Sequence, residues 1–264
     1  MGYTSFLYEV ADGIAKIRLN DPEKLNALTF QTYEELERLF EGLAQDDSVK
    51  VVIITGTGKG FCSGGSVQEI IGKLIDMNAE ELNRFTRMTC AVTRNMRNLK
   101  KPIIAAVNGI AAGAGAMLAL ASDLRIASDR AKFAFLFTRV GLSGADMGAL
   151  YLLPRIVGQG RATELLFLGD TIDAQEAFRI GLANRVVEHD RLMDETYDLA
   201  RRLSRGPLHA VGVTKELLQR EANMDLDRAL ELEALTQAKC MQTADFREGY
   251  KAFVEKRAPV FNRS

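Results

Sequence analysis

The chain has 264 residues and a formal net charge of −1 at pH 7, with 47% hydrophobic and 26% charged residues, which is typical of one large or two small globular domains. The near-zero charge gives no general field for nucleic acid or an anionic membrane, and no segment has the pattern of a signal peptide or a membrane span. Since the three cysteines and two histidines are widely spaced, we expect reduced thiols, no metal site and a cytoplasmic location.

The first half of the chain alternates between strand and helix patterns. Residues 6–20 alternate apolar and polar side chains around the turn dipeptide Asp12-Gly13, which predicts a hairpin. The following patterns predict a helix capped by Thr29, a buried strand at 49–56, a helix at 79–98, and buried strands at 102–109 and 123–128. Such alternation favours right-handed βαβ crossovers in one sheet with helices packed against it.

From about residue 145 onward the pattern is mostly helical. No linker rich in proline or glycine separates the two halves of the sequence, and there are no repeats. We therefore expect an α/β core over residues 1–200, followed by a helical region over residues 201–264.

The first glycine-rich turn is GTGKGFCSGGSVQEI, residues 56–70, directly after a predicted strand. A phosphate-binding loop of the Walker type is excluded because Lys59 is followed by glycine, so the hydroxyl that would bind magnesium is missing. The glycines alone are compatible with a flexible connection. However, the pair Gly64-Gly65 stands between two serines, and small residues with exposed N–H groups are typical of an oxyanion hole or a ligand-binding loop.

The second turn lies in AVNGIAAGAGAMLALASD, residues 106–123, where a strand pattern leads through Gly113-Ala114-Gly115 into an apolar helix. A dinucleotide-binding fingerprint would require a third glycine where Leu118 stands, and an acidic residue about 20 positions later, where there is none. Two strand–turn–helix units with free N–H groups can instead hold one carbonyl oxygen from two sides. Each such donor stabilises a transition state by roughly 3 to 4 kcal/mol.

Five ordered blocks of sequence resemble one known family. They are PEKLNALT, VVIITGTGKGFCSGGSVQE, KPIIAAVNGIAAGAGAMLALASDLRIAS, residues 152–187, and FREGYKAFVEKRAPVF. In this order they resemble the crotonase superfamily, the enoyl-CoA hydratase/isomerase-like proteins, over nearly the whole chain. The resemblance implies a spiral α/β core of ββα repeats, a helical C-terminal trimerisation region, and a homotrimer or dimer of trimers. It also implies a coenzyme A thioester as substrate and no permanently bound cofactor.

The resemblance assigns roles to particular positions. The thioester carbonyl is expected to bind the backbone N–H groups of Gly65 and Ala114. Lys24 and Lys256 are expected to contact coenzyme A, and the alternative for each is a solvated surface charge. The residues expected to bind coenzyme A or line the acyl site are Lys24, Ser63, Ser66, Val67, Met117, Phe137, Phe253 and Lys256. The last two can come from the same chain or from a neighbouring subunit.

The chain departs from the family at the residues that perform hydration. The two glutamates of the hydratases would align with Met117 and Phe137, and neither of these side chains can carry a proton. The nearest acid is Asp146, which we expect to act as acid or base, although an aspartate before a helix is also a good N-cap. We expect isomerisation, or hydration with one acid, of a hydrophobic or aromatic acyl group. The alternatives are a hydrolase, a carbon–carbon lyase, an aryl-CoA substitution or a non-catalytic acyl-CoA-binding protein.

Overall fold

Ten strands form two sheets in the computed structural model, which describes residues 2–261. The strands are β1 (Phe6–Ala11), β2 (Ile14–Leu19), β3 (Val51–Gly56), β4 (Gly60–Cys62), β5 (Ile103–Val107), β6 (Ile110–Ala112), β7 (Leu124–Ser128), β8 (Lys132–Ala134), β9 (Thr171–Asp173) and β10 (Arg185–Val187). The larger sheet has the order β1-β2-β3-β5-β7-β10 and the smaller sheet the order β4-β6-β8-β9.

Eleven α-helices accompany these strands within residues 2–261. They are α1 (Phe30–Gly42), α2 (Gly72–Leu74), α3 (Ala79–Asn98), α4 (Ala114–Ala121), α5 (Ala149–Val157), α6 (Gln159–Leu168), α7 (Ala174–Arg179), α8 (Leu192–Ser204), α9 (Leu208–Arg220), α10 (Leu226–Cys240) and α11 (Ala244–Val254). None of the described helices is long and apolar enough to cross a membrane.

Successive passes of the chain give one strand to each sheet. β3, β5 and β7 are parallel neighbours in the larger sheet, and the strands that follow them, β4, β6 and β8, are parallel neighbours in the smaller one. Helices follow β4 and β6 before the chain returns to the larger sheet. This arrangement confirms the expected spiral of ββα repeats.

The local signals of the N-terminal half are confirmed. β1 and β2 pair antiparallel through a turn in which Asp12 and Gly13 both have positive φ, as a tight hairpin turn requires. The Thr29 side chain accepts a hydrogen bond from the N–H of Thr32 and caps α1. α1 packs against α3 through the edge-to-face contacts of Phe85 with Phe30 and Tyr33.

The second half contains more strand than its pattern predicted. β9 and β10 interrupt what the sequence indicated as a mostly helical region, and each completes one edge of a sheet. At three residues each, they are too short to show a period of two. The proposed boundary at residue 200 falls inside α8, which covers one face of the larger sheet with Leu192 and Ala200 in the core.

A buried ion pair attaches α9 to the core. The Lys215 ammonium lies 2.7 Å from an oxygen of Asp123 and donates to the carbonyl of Met96, and burial lowers its pKa. Asp123 also accepts the backbone N–H of Ile103 at the start of β5. Because an unpaired buried charge is costly, this pair fixes α9 relative to the sheet.

The start of α4 lies unusually close to β4. A Cβ atom on Gly115 would stand 2.1 Å from the carbonyl oxygen of Cys62, so the second residue of this helix must be glycine. All eight residues of α4 are buried. The backbone contact therefore sets where α4 begins relative to the first glycine-rich turn.

This contact predicts that two Gly→Ala substitutions at equivalent helix positions change the free energy of unfolding by very different amounts. Gly115→Ala should lower the free energy of unfolding by about 3 kcal/mol or more, because a backbone carbonyl has to move. Gly160→Ala, at the second position of α6 with open space around it, should be neutral or raise it by up to about 1 kcal/mol. Chemical denaturation of both variants measures the difference, and equal stabilities would contradict the close contact.

Candidate active site

The two glycine-rich turns are in contact. Gly64 and Gly113 both have positive φ, +103° and +49°, which lets the chain turn sharply at each position. A Cβ atom on Gly64 would stand 3.0 Å from the carbonyl oxygen of Ala112 and 3.6 Å from the nitrogen of Ala114. The meeting of the turns, which the sequence could only suggest, is therefore observed.

Each turn presents one N–H group without a protein acceptor. Leu28 donates to the carbonyl of Gly64 and accepts from the N–H of Ser66, so the residue between these two, Gly65, directs its own N–H away from Leu28. Ala114 is the first residue of α4, where the backbone N–H has no partner within the helix. Within residues 2–261, neither N–H donates to another protein group. Both can therefore bind an oxygen atom of a ligand.

Helix α4 adds a favourable field at the second turn. Its positive end lies at Ala114, where negative charge is stabilised. At its other end the buried guanidinium of Arg125 donates to the carbonyls of Ser122 and Leu182 at 2.6 and 2.5 Å. Burial lowers the pKa of Arg125 to about 10, so this side chain remains charged at neutral pH.

Asp146 lies in the loop before α5. The N-cap of α5 is Gly148 and no side chain caps this helix, so the alternative that Asp146 is a helix cap is wrong. The next residue, Met147, is buried and held at φ +44°, and burial raises the pKa of Asp146. A non-glycine residue in this conformation costs roughly 1–3 kcal/mol, and such strain is often found at functional sites.

Tyr33 connects Asp146 with the first turn, a role that sequence periodicity did not reveal. The side chain is 3% exposed, and burial together with the charges of Asp146 and Cys62 raises the pKa of its phenol. Burial raises the pKa of the Cys62 thiol to about 12, so it stays protonated at neutral pH and is not a nucleophile. Tyr33 thus lies within electrostatic reach of both elements. The sequence signal was a hydroxyl on an otherwise apolar helix face.

Thr93 is a second residue that the sequence did not indicate. Its hydroxyl oxygen is buried and has no hydrogen-bond partner among the described residues. Its methyl group would lie 3.7 Å from a Cβ atom on Gly148, two residues after Asp146. A buried unpaired hydroxyl costs about 1–3 kcal/mol, so Thr93 is a candidate for a hydrogen bond to a ligand.

Met147, the neighbour of Asp146 in the chain, is buried, and so are Met117 and Phe137, two residues expected to line the acyl site. Met117, Phe137 and Met147 are 0%, 5% and 1% exposed and belong to the same core cluster as Tyr33. In such surroundings a carboxylate is poorly solvated and hydrogen bonds to a developing charge are strengthened. The site can therefore hold an apolar group next to one titratable acid.

The residues expected to bind coenzyme A form two separate groups. Around the first turn, Lys24 lies 2.9 Å from Glu69 in an ion pair, the hydroxyl of Ser63 donates to the Lys24 carbonyl, and Ser66 accepts the N–H of Glu69. Val67 follows and is 74% exposed.

The other group lies at the C-terminal end of the described chain. Phe253 is 83% exposed and Lys256 is also exposed. α11, which precedes Lys256, contributes a single buried residue, Ala252. Within residues 2–261, no hydrogen bond or ion pair joins Phe253 or Lys256 to the glycine-rich turns. Within the described residues, the tail therefore makes no polar contact with the first turn.

Comparisons with known proteins give a consistent result. The model of the enoyl-CoA hydratase/isomerase family matches residues 9–264. The chain is 36% identical to the 1,2-epoxyphenylacetyl-CoA isomerase of Escherichia coli K12 over 97% of both chains, and 38% identical to the crotonyl-CoA hydratase of Syntrophomonas wolfei over 99% of both. A crystal structure from Streptomyces coelicolor A3(2), provisionally assigned as an enoyl-CoA hydratase, has 50% identity and a TM-score of 0.97, covering 99% of this chain and 95% of that one.

The raised pKa of Asp146 predicts how stability depends on pH. Because the native state holds this proton more tightly than the unfolded chain, the contribution of Asp146 is most favourable below the ordinary carboxyl pKa of about 3.9 and is lost as the pH rises through the folded pKa. Asp146→Asn should therefore raise the free energy of unfolding at pH 7 and change it little near pH 4. Chemical denaturation of the wild type and Asp146→Asn between pH 4 and pH 7 measures this difference in the free energy of unfolding. The exposed control Asp76→Asn should show no such trend, and a pH-independent effect of Asp146→Asn would contradict the assignment.

Proposed function

We propose proton transfer on an acyl-CoA thioester as the reaction of this chain, which belongs to the enoyl-CoA hydratase/isomerase family. As a member of this family, the chain is an enzyme of the crotonase type that acts on coenzyme A thioesters. The observation that supports a specific reaction is a half-buried acid, Asp146, whose pKa burial raises and whose charge acts on Tyr33, together with two turns in contact that each offer a free N–H group.

The proposed mechanism begins with the thioester carbonyl oxygen bound to the N–H groups of Gly65 and Ala114. Asp146 removes a proton from a carbon of the acyl chain, and the electron pair moves onto the carbonyl oxygen to give an enolate. The two N–H groups and the positive end of α4 stabilise that charge. Protonated Asp146 then returns the proton at another carbon, which shifts the double bond. No water or cofactor is consumed.

One acid suits isomerisation better than hydration. In isomerisation the same group takes a proton and returns it, whereas hydration requires activation of water as well as delivery of a proton to carbon. Met117 and Phe137 are apolar and buried, which favours a hydrophobic or aromatic acyl group. The names of the E. coli and S. wolfei relatives include one isomerase and one hydratase, so both outcomes are compatible with this scaffold.

Coenzyme A is proposed to lie along the first turn. Ser63, Ser66 and Val67 would line its path, and Lys24 would exchange its surface partner Glu69 for a phosphate group. Phe253 and Lys256 would contact coenzyme A from a neighbouring subunit, because within the described residues of their own chain they make no polar contact with the turn. This requires self-association, for which we propose residues 201–264 as the main surface of a homotrimer or dimer of trimers.

Hydrogen exchange tests the role of Asp146. The protein is incubated in D2O with 2-enoyl-, 3-enoyl- and aromatic acyl-CoA thioesters, and deuterium in the acyl chain is followed by mass. We expect incorporation that falls by about 10²- to 10⁴-fold in Asp146→Asn and is unchanged in Asp76→Asn. Incorporation that survives in Asp146→Asn would refute its role as the base. Release of free coenzyme A or chain cleavage would instead identify the hydrolase or lyase alternative, and binding without any reaction would identify a non-catalytic protein.

A proline substitution tests the oxyanion hole without deleting a side chain. Ala114→Pro removes one N–H at the first position of a helix, where proline is well tolerated, and should lower turnover by about 10²- to 10³-fold. Ala79→Pro makes the same change at the first position of α3 and should leave turnover unchanged. Steady-state kinetics on the substrate found above provides the measurement. Equal turnover of both variants would exclude the Ala114 N–H as a donor.

A further inference from the structure

A polar cavity lies at the start of the first glycine-rich turn, where Gly56, Thr57 and Gly58 line it, and the proposed oxyanion donors Gly65 and Ala114 are not among its lining residues. It has a volume of about 240 Å³ and lies between the carboxyl ends of β2 and β3 and the start of α8. Arg18, Thr57, Asn108 and His189 are among the residues that line it, and none of them has a role in the proposed reaction. The cavity is smaller than the roughly 300 Å³ at which pockets for organic ligands begin.

Two buried donors in this cavity lack a protein partner. Neither the Nε of Arg18 nor the hydroxyl oxygen of Thr57 has a hydrogen-bond partner among the described residues, although both atoms are shielded from solvent. Unpaired buried polar atoms cost free energy, and the cost is greater when the group is charged. Both residues line the cavity, so a small rearrangement of their side chains would let a ligand that accepts hydrogen bonds pair with both donors.

The charges around the cavity favour an anion. Lys16 and Arg18 alternate along β2 and project to the same face of the sheet, toward the start of α8. The one carboxylate paired with them is that of Glu9, which is 60% exposed and forms an ion pair with Lys16. Glu9 therefore neutralises one of the two cations at the rim, while no ion pair is recorded for Arg18 within residues 2–261.

Two further groups lie at the cavity. His189 uses Nδ1 in a hydrogen bond with Ser128, 3.2 Å away, which leaves its other ring nitrogen available. α8, thirteen residues long, begins with Leu192 and Met193 at the cavity, and no side chain caps its N-terminus. The N–H of Leu192 donates to the carbonyl of His189, so the start of α8 would act on an anion mainly through the helix dipole.

We propose that this cavity binds a small oxyanion of the phosphate or sulfate type. The guanidinium of Arg18 and the hydroxyl of Thr57 donate to its oxygens, and Lys16 and the dipole of α8 add positive potential. A phosphate group could come from inorganic phosphate in solution or from coenzyme A itself. The volume favours the free ion, because the cavity has no room for a nucleotide.

Calorimetric titration with inorganic phosphate at constant ionic strength tests the site. We expect saturable binding of one ion per chain to the wild type, at least about tenfold weaker in Arg18→Gln, weaker in Thr57→Val and tighter in Glu9→Gln. Arg84→Gln, which removes an exposed arginine from α3, is the matched control and should bind as the wild type does. Circular dichroism melting confirms that each variant is folded.

Three results would overturn the proposal. They are absence of saturable binding to the wild type at millimolar phosphate, equal affinities of the wild type, Thr57→Val and Arg18→Gln, and binding of coenzyme A that depends on Arg18. In the last case the cavity would be part of the thioester site. The readout is independent of catalysis, so failure of the proposed reaction and failure of this site can be distinguished.

Discussion

The close approach of the Gly115 backbone to the carbonyl of Cys62 is the constraint on which the candidate site depends. It holds the first turn of α4 against the end of β4, where any side chain at position 115 would collide. Because of this contact, Ala114 begins a helix beside Gly64 instead of several ångströms away. An oxyanion hole requires donors fixed in place before the charge develops. Here two neighbouring strands of the smaller sheet, β4 and β6, fix them through backbone packing.

The apolar surroundings of the candidate site affect the proposed reaction in two ways. They strengthen the hydrogen bonds and the helix field that act on a carbonyl oxygen, because little solvent screens them. They also disfavour the carboxylate form of Asp146 and raise its pKa, which makes this residue a stronger proton acceptor when it is ionised. At the far end of α4, buried Arg125 donates to the carbonyls of Ala119 and Ser122, so protein groups pair with carbonyls there while the N–H of Ala114 stays free for a ligand.

The sequence predicted the features that depend on neighbouring residues. The hairpin at Asp12-Gly13, the Thr29 cap and the strand–turn–helix units all follow from patterns of a few residues. β9 and β10 were missed because three residues show no period, and they become strands by pairing with distant partners. Tyr33 and Thr93 were missed for a related reason. Each occupies an apolar position in its helix, and its hydroxyl matters through the loop of Asp146, which is remote in sequence.

The balance of charge explains why a single half-buried acid can support the proposed chemistry. When Asp146 takes a proton from carbon, its negative charge disappears and an equal charge forms on the carbonyl oxygen at Gly65 and Ala114. The total charge in the apolar site is therefore conserved, and no ion has to be created where solvation is poor. The desolvation free energy is already present in the free enzyme, because Asp146 is a carboxylate in surroundings that solvate it poorly. Proton abstraction removes this unfavourable free energy. The charge moves from the poorly solvated carboxylate to an oxygen that meets two N–H groups and the positive end of α4.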